Sequence, residues 1–237
     1  MYQKLKNSFE NTENKEINHR ISTGIHFHQY IQRLKKELQK TLPGKTAQHK
    51  MAPSQRTEKT VGNSSKNAGV LILLYPNNSE IFTTLIKRPV YKGVHSGQIS
   101  LPGGKFEEDK DISIIETAFR ETQEEIGVHK NTISFVGKLT SLYIPVSDIH
   151  VQPVIGCLSK EPQFTADSRE VDKIFKINIR ELLRPECIAE DEIIMPDNRK
   201  VTAPYYKFNH LQIWGATAMI LSEYFEIHHN IIMNPHQ

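Results

Sequence analysis

Residues 101–128 read LPGGKFEEDKDISIIETAFRETQEEIGV, and their spacing decides what the rest of the chain must build. Ser113-Ile114-Ile115-Glu116 has capping-box form, in which the serine hydroxyl accepts from a first-turn amide and the glutamate reaches back. Ile114, Ile115, Ala118, Phe119 and Ile126 then recur at helical spacing, which gives one apolar stripe to set against a sheet. Gly127 supplies a left-handed stop. The pattern predicts a helix over 114–126.

The other face of that helix carries Glu121, Glu124 and Glu125 at i, i+3 and i+4. In a partly closed cleft with an effective dielectric near 20, two such charges about 4 Å apart repel by about 4 kcal/mol. A divalent cation reverses that sign. Carboxylate oxygens suit Mg²⁺ or Mn²⁺, and Mg²⁺ commonly bridges one or two carboxylates to substrate phosphates. Arg120, four residues before Glu124, is expected to hold that carboxylate in place. Gly103 and Gly104 let the backbone before the helix approach a ligand closely.

Outward from this segment the texture is that of short β-branched runs. VLILLY (70–75) and EIFTTLIKR (80–88) flank an Asn77-Asn78 turn, a hairpin signal. TISFVGKLTSLYI, HVQPVIGCL, EVDKIFKIN and VTAPYYKF are further strands; IRELL and ATAMILSEYFEI are helices. Mixed strands with few helices imply an α/β fold with helices covering the sheet. Trp214 is expected to pack in the core. Glu170, in SREV before a strand, is either an extra cleft carboxylate or a surface acid.

The constellation resembles the Nudix box, a glycine and an acidic residue followed by Arg-Glu, two residues, Glu-Glu, one residue and Gly. RETQEEIGV matches without a gap; the first half is longer than the common box, and Asp111 takes its intermediate acidic position. A lengthened first half with Asp is similar to the coenzyme A pyrophosphatase branch. TTLIKRPVYKGVHSGQISLPGG resembles the signature that branch carries upstream, with Arg88, Gly97 and Pro102-Gly103-Gly104 at its spacing. It departs at Ile86, Pro89, Gly93 and Leu101, where Thr, Ser or Ala, Arg and Phe are usual; Lys92 offers only a point charge for the missing arginine.

The resemblance implies a Nudix-type α/β/α sandwich with a mixed sheet. It implies metal-dependent hydrolysis of a diphosphate bond, with Mg²⁺ or Mn²⁺ on Glu121, Glu125 and the Gly104 carbonyl. Glu124 would ligate a second ion or help activate water, with Arg120 beside it as the other catalytic residue. For coenzyme A the products are 3′,5′-ADP and 4′-phosphopantetheine. Two alternatives stand beside this: a Nudix pyrophosphatase for ADP-ribose, NADH or a dinucleoside polyphosphate, and a non-catalytic nucleotide-binding module. Either way the partner is a nucleotide-type small molecule. Lys87 and Arg88, at a strand end, and His95 and Gln98, flanking Gly97, are candidate substrate contacts.

Composition bounds the remainder. Residues 1–60 carry a net charge of +7 and the rest −4, yet no aromatic interleaving or nucleic-acid motif accompanies the basic end. No apolar run approaches the roughly 20 residues a bilayer span needs, so no membrane association is expected. Cys157 and Cys187 match no metal spacing and suggest no disulfide framework, which favours a cytoplasmic location. Residues 1–24 read as a polar, poorly ordered terminus and 25–66 as a helix and linker, Pro43-Gly44 stopping the helix. Residues 67–228 read as the hydrolase domain and 229–237 as a tail. The N-terminal helix is expected to cap the domain or to form a homodimer contact.

Overall fold

Leu71, Leu73 and Tyr75 alternate along one strand with Ile72 and Leu74, and all five side chains are fully buried. The odd set joins one hydrophobic cluster and the even set another. A strand apolar on both faces must lie at the centre of a sheet covered on both sides, and the computed structural model places it there. It describes residues 27–54, 56, 66–91, 95–194 and 200–234. The expectations for residues 1–24 and for positions 92 and 93 lie outside these.

The strand is β1 (Lys66–Asn77). It pairs antiparallel with β2 (Glu80–Lys87) through a turn at Asn78 and Ser79, both with left-handed φ, as a two-residue hairpin of this twist requires. β3 (Ile99–Ser100) continues outward from β2, and β4 (Gly103–Lys105) pairs with the start of β1. On the other side β1 runs parallel to β7 (Ile149–Cys157), which also pairs with β5 (Ser134–Lys138) and β6 (Leu142–Ile144). β8 (Lys173–Asn178) pairs with β2 and completes an eight-stranded mixed sheet.

The expected α/β/α layering holds. One face is covered by α3 (Ile114–Ile126), whose Ala118, Phe119 and Ile126 meet Leu71, Leu73 and Tyr75. The other face is covered by α1 (Phe27–Glu37) and α5 (Gly215–Met233), through Tyr30, Leu34, Ala218, Leu221 and Tyr224. A short α4 (Ile179–Leu182) follows β8. A separate antiparallel sheet of β9 (Ile188–Ile194), β10 (Lys200–Phe208) and β11 (Leu211–Trp214) joins the same core through Ile188, Tyr206 and Ile213. No helix among the described residues is long and apolar enough to cross a membrane.

Several stretches differ from the sequence expectation. The stretch read as linker contains α2 (Gly44–Gln48) and a 3-10 turn at His49–Met51, where Ala47, Gln48 and Met51 are fully buried. Its order comes from Glu223 on α5, whose carboxylate accepts from Gly44 N (3.2 Å) and Gln48 Nε2 (2.8 Å). Two apolar residues and a glutamine carry no periodicity that would announce this. α5 runs through 229–233, residues assigned to the tail. Trp214 is half-buried and belongs to neither hydrophobic cluster, which corrects its assignment to the core; it sits at the end of β11, where alternation turns it away from the buried Ile213.

Candidate active site

α3 forms as its sequence dictates. Ser113 Oγ accepts from Glu116 N at 3.3 Å, and Gly127 ends the helix at φ 74°. The second half of the capping box is absent, because Glu116 pairs with Lys130 instead of returning to Ser113. Gly127 serves a further purpose: a Cβ there would lie 3.0 Å from the Thr165 side chain, so glycine lets the loop cross the helix end without being pushed aside. That loop is fixed by Thr165 N to Ile126 O (3.0 Å) and Asp167 N to Glu125 O (3.1 Å). These bonds bring Glu170 to α3.

Glu121, Glu125 and Glu170 offer oxygens that all lie within 4.8 Å of one another. Glu121 is 9% and Glu125 1% exposed, while Glu170 is open to solvent. Burial pushes the Glu125 carboxyl up to about 8, against the pull of Arg88 and of the Gly103 amide, which donates to it at 2.8 Å. Burial raises Glu121 in the same direction. Hard cations are held by converging carboxylate oxygens of this kind, so the donor set fits a divalent ion. Gly104 belongs to the same cradle: a Cβ on it would stand 2.3–2.5 Å from the Glu121 carboxylate. Gly103, at φ 145°, is pressed so close to β1 that a Cβ would meet Gly69 O at 2.3 Å.

Arg120 anchors the helix side of the cluster. Its guanidinium donates to Asp111 through Nε (2.8 Å) and an Nη (3.0 Å) and to Glu124 at 2.9 Å, and lies 3.0 Å from Glu121. Asp111 also accepts from Thr117 Oγ1 (2.9 Å) and Glu107 N (3.0 Å), which folds the lengthened loop back onto α3. The Arg120 hydrogen bonds hold the Asp111 carboxyl down at about 2. Glu124 is not one of the three converging carboxylates; its side chain is 49% exposed and bonded to Arg120.

The other candidates are dispersed. Arg88 reaches the cluster, 3.6 Å from Glu125 and donating to Gly103 O at 3.2 Å. Lys87 leaves the sheet on the Leu85 face, away from α3, and pairs with Asp172 at 2.7 Å. His95 and Gln98 share a 3.1 Å hydrogen bond, and Gln98 O accepts from Arg88 N at 3.0 Å, so both lie on the loop that Arg88 opens. Glu170 is the residue that sequence left undecided. An acid before a strand is a weak signal, and only the loop's backbone bonds to α3 bring it into the cluster.

Residues 65–197 match the family model of the NUDIX domain. Nudix hydrolase 3 of Caenorhabditis elegans is 29% identical over 183 residues, covering 75% of this chain and 68% of that one. NudL of Yersinia pestis, described as an uncharacterized Nudix hydrolase, is 33% identical over 138 residues, 58% of this chain and 67% of its own. Among solved structures, a MutT/nudix family protein from Enterococcus faecalis superposes with a TM-score of 0.48 at 17% identity, covering 77% of this chain and 68% of that one.

Proposed function

This chain belongs to the Nudix family of hydrolases, which act on pyrophosphate bonds, and we propose that it cleaves the diphosphate of coenzyme A or a derivative to 3′,5′-ADP and 4′-phosphopantetheine. The observation that carries the reading is the convergence of Glu121, Glu125 and Glu170 within 4.8 Å, beside a glycine that leaves the cluster open to a ligand. These three carboxylates, with the Gly104 carbonyl, would hold a divalent cation such as Mg²⁺ or Mn²⁺. The bound ion supplies charge neutralisation at the diphosphate oxygens and acidifies a bound water.

The protein's own groups do the rest. Arg88 spans Gly103 and Glu125, and the diphosphate comes to rest against it. Glu124, exposed and oriented by Arg120, accepts the proton of the attacking water. The new P–O bond forms at one phosphorus, the bridging P–O bond breaks, and the departing phosphate oxygen takes up a proton. Arg120, fixed by Asp111, keeps Glu121 and Glu124 apart and in register.

The coenzyme A preference is supported by the segment from β2 to Gly104, which resembles the signature of that branch and whose Arg88 reaches the cluster. Two of its four departures, Ile86 and Leu101, are buried in the core at 0% and 2% exposure. They bear on packing rather than on substrate. Pro89 is half-buried on the loop beside Arg88, and position 93 is the departure that favours another nucleoside diphosphate derivative. Rates with Mg²⁺ or Mn²⁺ across coenzyme A, ADP-ribose, NADH and a dinucleoside polyphosphate separate these readings; coenzyme A ranking low on that panel defeats the first. Glu125→Gln should abolish turnover of whichever substrate is preferred, and intact activity in that variant removes the cluster from the chemistry.

A further inference from the structure

Tyr205 and Trp214 stand directly opposite each other on neighbouring strands. The next residue along β10, Tyr206, and the one before Trp214, Ile213, point into the core. Alternation therefore turns the aromatic pair to the other side of the small sheet. Both are half-buried, and neither joins a hydrophobic cluster. Among the described residues, neither the indole N–H nor the phenol hydroxyl has a hydrogen-bond partner. Exposed Lys207 follows on the same face as Tyr205. Aromatic side chains earn their place by packing, and their polar tips find partners when buried. Two neighbouring rings that stay partly open, with polar tips unpartnered among the described residues, have the make-up of a stacking surface.

Their position supplies the ligand. β11 lies beside β3, and Thr217, three residues after Trp214, donates to Ile99 O at 3.2 Å. From Ile99 the chain runs four residues, about 14 Å at most, to Gly103, whose amide holds Glu125. The pair thus stands beside the strand whose chain continues, within four residues, into the carboxylate cluster. We propose that Trp214 and Tyr205 form the platform on which the purine base of the substrate stacks, with Lys207 beside it. This rests on the reading of Glu121, Glu125 and Glu170 as the diphosphate end.

Trp214 is the chain's single tryptophan, so the wild-type protein reports on its own platform. Titration with 3′,5′-ADP should quench the tryptophan emission saturably, while inorganic pyrophosphate leaves it unchanged. Emission that stays flat to millimolar 3′,5′-ADP, or that responds equally to pyrophosphate, overturns the platform. In kinetics, Trp214→Ala should raise KM for the preferred adenine nucleotide about 5- to 150-fold with kcat little changed, and Trp214→Phe should restore part of the loss. Tyr205→Ala gives the same split if the tryptophan variant does not fold. A chain that hydrolyses its substrate with KM unmoved in these variants overturns the platform and leaves the cluster reading standing. If coenzyme A is not cleaved but another adenine nucleotide is, the emission titration still decides.

Discussion

Two glutamates of this protein are almost equally buried, Glu223 at 0% and Glu125 at 1% exposure, and they live in opposite circumstances. The Glu223 carboxylate accepts from Gly44 N, Gln48 Nε2, Thr140 N and Thr140 Oγ1, donors contributed by two separate stretches of chain. Glu125 accepts a single amide, from Gly103, and has Arg88 at 3.6 Å, with Glu121 and Glu170 as negative neighbours. A buried charge is tolerable when the fold saturates it with donors and costly when it does not. Glu223 is therefore a structural staple. Glu125 is left short of donors, and on the proposed reading a cation would complete it.

The largest expected effect follows from the unsaturated partner. Glu125→Gln keeps an acceptor for Gly103 N but removes the charge, so kcat/KM should fall by about 10³ or more, to the point where turnover is lost, while the metal-free protein melts higher. Steady-state rates and thermal melts of one preparation check both halves; a lower Tm would mean that Glu125, like Glu223, is held for stability. Glu223→Gln should do the reverse. The NH₂ end of its amide faces donors it cannot accept from, at a cost of about 3 kcal/mol, or roughly 6–12 °C in Tm, with kcat of the folded fraction retained. If that variant lost turnover instead, the two carboxylates would not be separable by function.

Gly104→Ala sharpens the contrast at the cluster. The added Cβ meets the flexible end of Glu121, so the fold survives but the carboxylate is displaced. Activity should fall about 10²-fold with Tm within a few degrees, and unchanged activity would show that Gly104 does not set the position of Glu121. The smallest effect concerns His228, 4% exposed beside Tyr30, Tyr224 and His229. Burial lowers its pKa from 6.5 to about 3, so the neutral ring is the folded form. Its contribution is complete above pH 6.5 and is lost as pH falls toward 3, with a slope of at most about 1.4 kcal/mol per unit. Melts between pH 4 and 7 should show that slope flattened in His228→Gln; an unchanged slope assigns the acid sensitivity elsewhere.

What sequence disclosed depended on whether the controlling interactions were local. α3 was legible to the residue because its cap, stripe and stop are contiguous, and β1 because its apolar run is unbroken. Asp111 was found through spacing, and its grip on Arg120 became visible only once the loop had closed. Glu170 remained undecided because hydrogen bonds to Glu125 and Ile126 carry it 45 residues along the chain to Glu125. α2 was missed for a related reason: its order is imposed by a carboxylate on the last helix. β9 and β11 went unread because an acidic edge strand and a four-residue strand show little alternation. Trp214 was misplaced by its neighbourhood, since Gly215 and an apolar helix follow it and neither says which way a strand's last residue turns.

The staple at Glu223 also fixes where this protein can be cut. A fragment trimmed to the borders read from sequence, 67–228, would keep every carboxylate of the cluster and lose Gly44 and Gln48. It would strand a fully enclosed anion with Thr140 as its remaining partner and strip the Tyr30 hydroxyl from His228. The smallest self-sustaining unit is therefore wider than the catalytic one. Its outer ends are tied to each other, and neither end can be shortened without loosening the other.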